Sequence, residues 1–198
     1  MDDVQHVKEY FDCRAEQWDQ ICHHDPAKLE ALATLADIQP DQNILDIACG
    51  TGAMFDVLLR RKPHRLVGVD LSDRMISVAR QKYPLPNVEL FAQDILEFSQ
   101  TGFDTAFIYS AYPHFSNKIA LCKKVWECLK TGGRFLVAHS EGRKTIDARH
   151  QSPQVQRVST HLGTAEQEAR IWKEQFDVDI LIDTPFLYVI SGVKTTGL

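Results

Sequence analysis

The 198-residue sequence predicts an α/β fold in which a doubly wound, mostly parallel sheet ends in an antiparallel hairpin. From residue 43 onward, apolar runs rich in Val, Ile and Leu alternate with helical patterns, which is typical of βα units that feed a parallel sheet. Glycines or prolines separate the successive runs, as at Gly50 and Gly52. The last two extended runs are joined at residues 183–185, a link too short for a crossover helix.

The predicted elements follow in order along the chain. Two helical segments come first, at about residues 4–19 and 26–36. Strands are predicted at residues 43–47, 65–70, 87–92, 103–109 and 133–139, with helices at about 53–61, 73–82, 117–129 and 164–176. Thr164 and Gln167 fit a capping box that opens the last helix. Residues 176–183 and 186–194 form the predicted hairpin.

Length and composition predict a single domain over residues 1–198. A net charge of -5 offers no basic surface to a phosphate backbone, so we expect a small-molecule partner and no nucleic acid. The start of the chain is polar, which predicts neither a signal peptide nor a membrane span, and hence no membrane partner. The five cysteines are odd in number and lack CxxC spacing, as expected of free thiols in a reducing, cytoplasmic location. A monomer and a homodimer both stay open.

Polar groups follow the first three predicted strands, where the ends of parallel strands meet. Gly50 and Gly52 let the backbone approach a ligand, and the carboxylate of Asp46 favours a cationic ligand over a phosphate. Asp70 lies about twenty residues past the glycines, the placement that grips the ribose hydroxyls of an adenosine-type cofactor. Asp94 can accept a hydrogen bond from an adenine amino group. Each residue alone fits a tight turn or a helix cap, but together they predict a cofactor site.

A dinucleotide site fits this loop less well. The GxGxxG pattern requires a glycine where this chain has Phe55. A short-chain dehydrogenase also needs a Tyr-x-x-x-Lys pair, and no tyrosine of the sequence has a lysine four residues later.

Four motifs resemble those of a known family: LDIACGTG at residues 45–52, VGVDLSDRMISVAR at 67–80, AQDI at 92–95 and LKTGGRFLVAH at 129–139. They are similar to the successive motifs of class I, Rossmann-like S-adenosylmethionine-dependent methyltransferases. The nearest group is the small-molecule methyltransferases of ubiquinone and menaquinone biosynthesis. The resemblance covers about residues 26–139 and implies the seven-stranded class I methyltransferase sheet, with the hairpin as its last two strands. It implies S-adenosylmethionine as cofactor and S-adenosylhomocysteine as product.

The resemblance also implies roles for individual residues. Asp46, Gly50 and Gly52 fall at the methionine end of the cofactor, Asp70 at the ribose, and Asp94 with Ile95 at the adenine. Cys49 departs from the family pattern, in which alanine or glycine is commoner, and we expect a small inert side chain there. The predicted cofactor-binding residues are Asp46, Ala48, Gly50, Gly52, Asp70, Leu71, Met75, Asp94, Ile95 and Ser110.

Candidate acceptor-side residues follow the fourth and fifth strands. An oxygen or carbon acceptor needs a general base, for which His114 or His139 is predicted, with Tyr112 and Glu141 as further candidates. A thiol would need little help.

Residues 140–163 show no clear periodicity and predict a lid over the acceptor. Of the N-terminal helices in residues 1–36, we expect the first, with Tyr10, Phe11 and Trp18, to help this lid, and the second to pack on the sheet. His150 lies in this lid.

Two further hypotheses concern a metal and the remaining histidines. His114, His139 and His150 with Glu141 have the ligand types for a divalent ion, although each histidine is better explained as a hydrogen-bonded structural or solvent-facing residue. The adjacent Cys22, His23 and His24 would point in different directions on a helix, so we expect them at the surface.

The sequence thus predicts an enzyme that transfers a methyl group from S-adenosylmethionine to a small-molecule acceptor. The alternative is a non-catalytic protein that binds S-adenosylmethionine, S-adenosylhomocysteine or a metal through its histidine-rich rim.

Overall fold

The computed structural model describes residues 3–195, in which seven strands form one sheet. The strands are β1 (Asn43–Ile47), β2 (Arg65–Asp70), β3 (Val88–Ala92), β4 (Phe103–Tyr109), β5 (Leu129–His139), β6 (Phe176–Asp183) and β7 (Tyr188–Lys194). Their order across the sheet is β3-β2-β1-β4-β5-β7-β6. The first five strands run parallel, and β7 lies antiparallel between β5 and β6. This confirms the predicted fold class; residues 1, 2 and 196–198 of the predicted domain lie outside the described residues.

The register of the central strands brings their carboxyl ends to one edge. Asp46 of β1 pairs with Gly68 of β2 and with Phe107 of β4. Neighbouring residues of β1 are buried on opposite faces, since Ile44 and Leu45 belong to two different core clusters. A strand buried on both faces needs the continuous apolar run that the sequence shows.

Helices cover both faces of the sheet within residues 3–195. They are α1 (Asp3–Asp12), α2 (Trp18–Ile21), α3 (Pro26–Leu35), α4 (Phe55–Arg60), α5 (Asp73–Lys82), α6 (Lys118–Cys128), α7 (Arg143–Arg149), α8 (Pro153–Gln156) and α9 (Ala165–Trp172). Side-chain caps fix several of their starts: Asp25 caps α3, Ser72 caps α5 and Asn117 caps α6. The predicted capping box of Thr164 and Gln167 opens α9.

The observed elements differ from the predicted ones mainly in four places. The N-terminal helix breaks after Asp12, and a 3₁₀ turn at Ala15–Gln17 precedes α2. β5 begins at Leu129, so the glycines at 132 and 133 lie inside the strand. α9 ends at Trp172 because the chain turns into β6 at residue 176. The predicted lid of residues 140–163 contains the short helices α7 and α8.

α6 leaves two of its large apolar side chains in contact with solvent. Ile119 is 59 % exposed and Trp126 is 36 % exposed. The two residues are seven apart and therefore share one helix face, which points outward. Trp126 carries the Lys194 ammonium 3.7 Å from its ring centroid. α6 instead buries Leu121, Cys122, Val125 and Cys128.

No helix within residues 3–195 is both long enough and apolar enough to cross a membrane.

Candidate functional site

A cavity of about 420 Å³ opens beyond the carboxyl ends of the first four strands. Its floor is formed by the loops that follow these strands, and its roof includes Val4, Val7, Phe11 and Trp18 from the N-terminal segment. Each predicted cofactor-binding residue except Gly52 lines it: Asp46, Ala48, Gly50, Asp70, Leu71, Met75, Asp94, Ile95 and Ser110. The crevice therefore lies where a doubly wound sheet places its ligand.

The two loop glycines have different tasks. Gly50 adopts φ 55°, and an added Cβ would meet nothing closer than the Trp18 side chain at 4.0 Å, so its backbone stays open to a ligand. Gly52 adopts φ 90°, and an added Cβ would lie 2.7 Å from the Tyr83 ring and 3.2 Å from that of Phe55. Gly52 therefore lets the loop pack against aromatic side chains rather than against the ligand. Phe55, which breaks the dinucleotide pattern, is fully buried in this contact.

Asp70 joins two loops of the cavity through its carboxylate. Oδ2 accepts a hydrogen bond from the Gly50 amide at 2.8 Å, and Oδ1 accepts one from the Ser72 amide at 2.8 Å. Burial raises the pKa of Asp70 to about 6, although both hydrogen bonds act to lower it. The carboxylate thus fixes the loop after β1 relative to the loop after β2.

Asp46 is a second buried carboxyl group on the same cavity, with 2 % exposure. Burial raises the pKa of Asp46 well above its ordinary value, and the charge of Asp70 raises it further. A cationic ligand would relieve both effects, whereas a phosphate would add to them. This end of the cavity is therefore suited to a positively charged group.

Asp70 has a predictable effect on stability against pH in the ligand-free protein. Its folded pKa of about 6 exceeds the ordinary 3.8, so the folded state binds more protons between these values and loses stability as pH rises through them. His114 and His139, whose pKa values are lowered, act in the opposite direction. We therefore expect the free energy of unfolding of wild type, relative to that of Asp70→Asn, to be lower at about pH 6.5 than at about pH 4.5. Urea unfolding at both pH values measures it, and a pH-independent difference would contradict it.

Asp94 serves as a helix cap as well as a wall of the cavity. Its Oδ1 accepts a hydrogen bond from the Leu96 amide at 2.9 Å and opens the 3₁₀ turn Ile95–Glu97. The other carboxylate oxygen is left for a ligand. Ile95 itself is buried against the cavity.

Polar contacts hold the N-terminal roof on the loops that follow β1 and β2. Asp12 of α1 accepts hydrogen bonds from the Ser72 hydroxyl and from the Arg74 amide. Asp19 of α2 accepts one from the Thr51 hydroxyl and pairs with Lys82 at 2.6 Å. Thr51 and Ser72 directly follow loop residues that line the cavity. The hydrogen bonds to Asp12 and Asp19 therefore connect the roof to the cavity loops.

His114 is the predicted base that the structure places on the cavity. Its Nδ1 lies 2.8 Å from the Val158 carbonyl, which can only accept, so Nδ1 carries the hydrogen and Nε2 keeps a lone pair. The ring packs edge-on against Phe11 of the roof, with centroids 5.0 Å apart. Burial lowers the pKa of His114 to about 4, so the ring is neutral at physiological pH.

Two other catalytic candidates do not reach this cavity. Tyr112 is fully buried in the core, where its hydroxyl donates to Glu168 Oε2 and accepts from Trp172 Nε1, each at 3.2 Å. His139, at the end of β5, is 3 % exposed and lines a separate pocket of about 50 Å³. Burial, together with smaller contributions from His114 and His150, lowers the pKa of His139 to about 3. The structure therefore places Tyr112 in the core, and it places His139 and His114 on different pockets.

Cys22 and His24 lie at the site, contrary to the expected surface position. α2 ends at Ile21 and Cys22 is extended (φ -116°, ψ 102°), so alternate residues, not helical neighbours, face inward. Cys22 and His24 line both cavities, whereas His23 lines the small one. His24 Nδ1 lies 2.8 Å from the Tyr109 hydroxyl, which donates to Ser140 Oγ. Residues 156–160 of the predicted lid also line the large cavity.

The histidine-rich rim does not present a set of metal ligands. His114 and His150 have ring centroids 5.3 Å apart, but His114 Nδ1 is already committed to a backbone carbonyl. Across the described part of the chain, no three or more His, Cys, Asp or Glu side chains are grouped to hold a metal ion.

The sequence is similar to those of several known proteins, some of them methyltransferases. Residues 44–133 match the family model described as a methyltransferase domain. An uncharacterized protein of Methanocaldococcus jannaschii is 31 % identical over 132 residues, 66 % of this chain and 50 % of the relative. Demethylmenaquinone methyltransferase of Symbiobacterium thermophilum is 27 % identical over 145 residues, 67 % of this chain and 58 % of the relative. The chain thus spans about half the length of these curated relatives.

The fold is shared over nearly the whole chain with a solved structure. N-methyltransferase NodS from Bradyrhizobium japonicum, in complex with S-adenosyl-L-homocysteine, superposes with a TM-score of 0.74 at 17 % identity. The match covers 96 % of this chain and 100 % of the NodS chain. Residues 44–133 are thus similar in sequence to a methyltransferase domain, and the chain shares the fold of an S-adenosyl-L-homocysteine-bound methyltransferase over nearly its whole length.

Proposed function

We propose that this protein transfers the methyl group of S-adenosylmethionine to a small-molecule acceptor. One observation carries the proposal: a single cavity extends from the acidic loop residues Asp46 and Asp70 to the imidazole of His114. Cofactor and acceptor would therefore share one enclosed space, as a direct transfer between them requires.

The proposed cofactor position follows the charges of the cavity. The cationic methionine end lies toward Asp46, and the ribose hydroxyls donate to Asp70. The adenine lies between Met75 and Ile95, with its amino group toward Asp94. The SAH complex of NodS, which has the same fold, supports this choice of cofactor.

Several features favour a small acceptor over a nucleic acid. The roof residues Val7 and Phe11, together with Phe115 and Val158, give the acceptor side apolar walls. The net charge of -5 provides no general attraction for phosphates. We further propose that residues 140–163 act as the acceptor lid and that the chain functions as one domain. Its five free cysteines favour a reducing, cytoplasmic location.

The transfer is an in-line displacement at carbon. A lone pair of the acceptor attacks the methyl group, the carbon–sulfur bond breaks, and its electron pair stays on the sulfur of S-adenosylhomocysteine. Holding both reactants in line accounts for much of the acceleration. An acceptor that carries a proton on the attacking atom gives it to Nε2 of His114, the unprotonated ring nitrogen.

Two experiments test the proposal in sequence. Titration calorimetry with S-adenosylmethionine and S-adenosylhomocysteine should show saturable binding, and a lack of binding to both would refute the cofactor assignment. A screen with methyl-labelled cofactor against thiols, phenols, amines and tetrapyrroles, with an RNA arm, should then label a small molecule. Tight cofactor binding without transfer to any acceptor would favour the non-catalytic alternative, and labelled RNA would overturn the small-molecule assignment.

A further inference from the structure

A second, polar pocket adjoins the large cavity. It has a volume of about 50 Å³ and borders the large cavity through Cys22, His24 and Ser110, which line both. We call it the histidine pocket; its walls are Cys22, His23, His24, Ser110, His139, Ser140, Glu141, Ile146, Arg149 and His150. They come from four separate chain segments, so the pocket exists only in the folded protein.

Two ring nitrogens of residues that line this pocket are buried without a hydrogen-bond partner among the described residues. They are Nε2 of His139 and Nδ1 of His150. His139 is 3 % exposed, so solvent does not satisfy it. An unpaired buried nitrogen destabilises a fold, so we expect these two nitrogens to gain a polar partner when the site is occupied.

The charges around the pocket limit the ligand to a neutral group. Burial lowers the pKa values of His24, His139 and His150, so these rings are uncharged. Glu141 and Arg149 form an ion pair with each other, so their charges offset one another. Cys22 stays a thiol because burial raises its pKa. An anionic carboxylate or phosphate would find no free positive charge among these walls.

A hydroxyl group matches two neutral imidazole nitrogens. It donates one hydrogen bond and accepts another. It can therefore donate to the ring nitrogen that has a lone pair and accept from the ring nitrogen that carries a hydrogen. The volume admits one or two atoms of this size. A metal ion fits less well, since the described side chains include no three potential ligands grouped around one point.

We propose that the histidine pocket binds a hydroxyl group of the methyl acceptor, whose apolar remainder lies in the large cavity between Phe11, Phe115 and Val158. The acceptor is thus an amphipathic alcohol or enol, and His139 and His150 determine specificity for it rather than take part in the transfer. This inference rests on the proposed function, because it assigns the second substrate of the same site.

Matched ring compounds test the proposal without knowledge of the natural acceptor. Phenol and toluene differ only in a hydroxyl against a methyl group of similar size. In protein saturated with S-adenosylhomocysteine, we expect phenol to bind at least about 10-fold tighter than toluene, because a site built for a hydroxyl rejects analogues without one. In His139→Leu and His150→Leu the preference should fall below about 3-fold. His64→Leu, at an exposed histidine far along the chain from the pocket, is the matched control.

Stability and metal measurements keep this result interpretable. Since His139 has an unpaired nitrogen, its replacement by leucine should leave the thermal unfolding midpoint unchanged or raised. Equal binding of both compounds to wild type, or an undiminished preference in both leucine variants, would overturn the proposal. Binding of Zn²⁺ at submicromolar concentration that is lost in Cys22→Ser would also overturn the proposal. Failure to bind S-adenosylhomocysteine in the first step would instead count against the proposed function.

Discussion

Replacing Asp70 by alanine weakens the binding of S-adenosylmethionine by about 1.5 to 3 kcal/mol, which is about 10- to 150-fold in the dissociation constant. The structure gives two reasons for an effect of this size. The carboxylate is the acceptor that we assign to the ribose hydroxyls. It also accepts hydrogen bonds from the amides of Gly50 and Ser72, so its loss releases two loops that line the cavity.

Calorimetry with wild type, Asp70→Ala and a control measures this effect. Asp177→Ala is the control, because Asp177 is an exposed carboxylate on β6, at the far edge of the sheet. Circular dichroism checks that each variant is folded. An unchanged dissociation constant in folded Asp70→Ala would mean that the end of β2 plays no part in cofactor binding, and the ribose would have to be placed elsewhere.

The cofactor half of the site was predictable because its residues are local to strand ends. Asp46 and Asp70 each lie at or next to the last residue of a buried strand, and parallel strands in register bring such residues together. Once the apolar runs were identified, the position of each acid followed from chain order alone. Gly52 shows the limit of that reasoning. The motif marks it as important, but only the packed Tyr83 ring shows that its importance lies in the fold.

The acceptor half was less predictable because it is assembled from distant segments. Tyr112 and His114 are two residues apart in one 3₁₀ turn, yet one enters the core and the other enters the cavity. The sequence of this turn has no periodicity long enough to separate them. The predicted surface position of Cys22 and His24 was wrong for a related reason. Their inward direction depends on the extended backbone after Ile21, and a helical pattern does not predict where a helix ends within a residue or two.

Replacing His114 by glutamine should lower the rate of methyl transfer by about 10²- to 10³-fold for an acceptor that must lose a proton. The hydrogen bond from Nδ1 to the Val158 carbonyl leaves Nε2 as the only basic atom of the ring, and glutamine has none of comparable basicity. Because the pKa of His114 is lowered to about 4, wild-type activity should not lose its base above about pH 5.

Single-turnover transfer from labelled cofactor separates catalysis from binding in this variant. The dissociation constant of S-adenosylhomocysteine should stay within about 3-fold of wild type, since we assign His114 to the acceptor side of the cavity. His64→Gln should behave as wild type. The chemistry of the acceptor sets the outcome. A thiol is already partly ionised near neutral pH and attacks without a base, so His114→Gln would then slow transfer by less than about 3-fold. A large rate loss that is equal for a thiol and for an alcohol would instead show that His114 positions the acceptor through its contact with Phe11 and does not remove the proton.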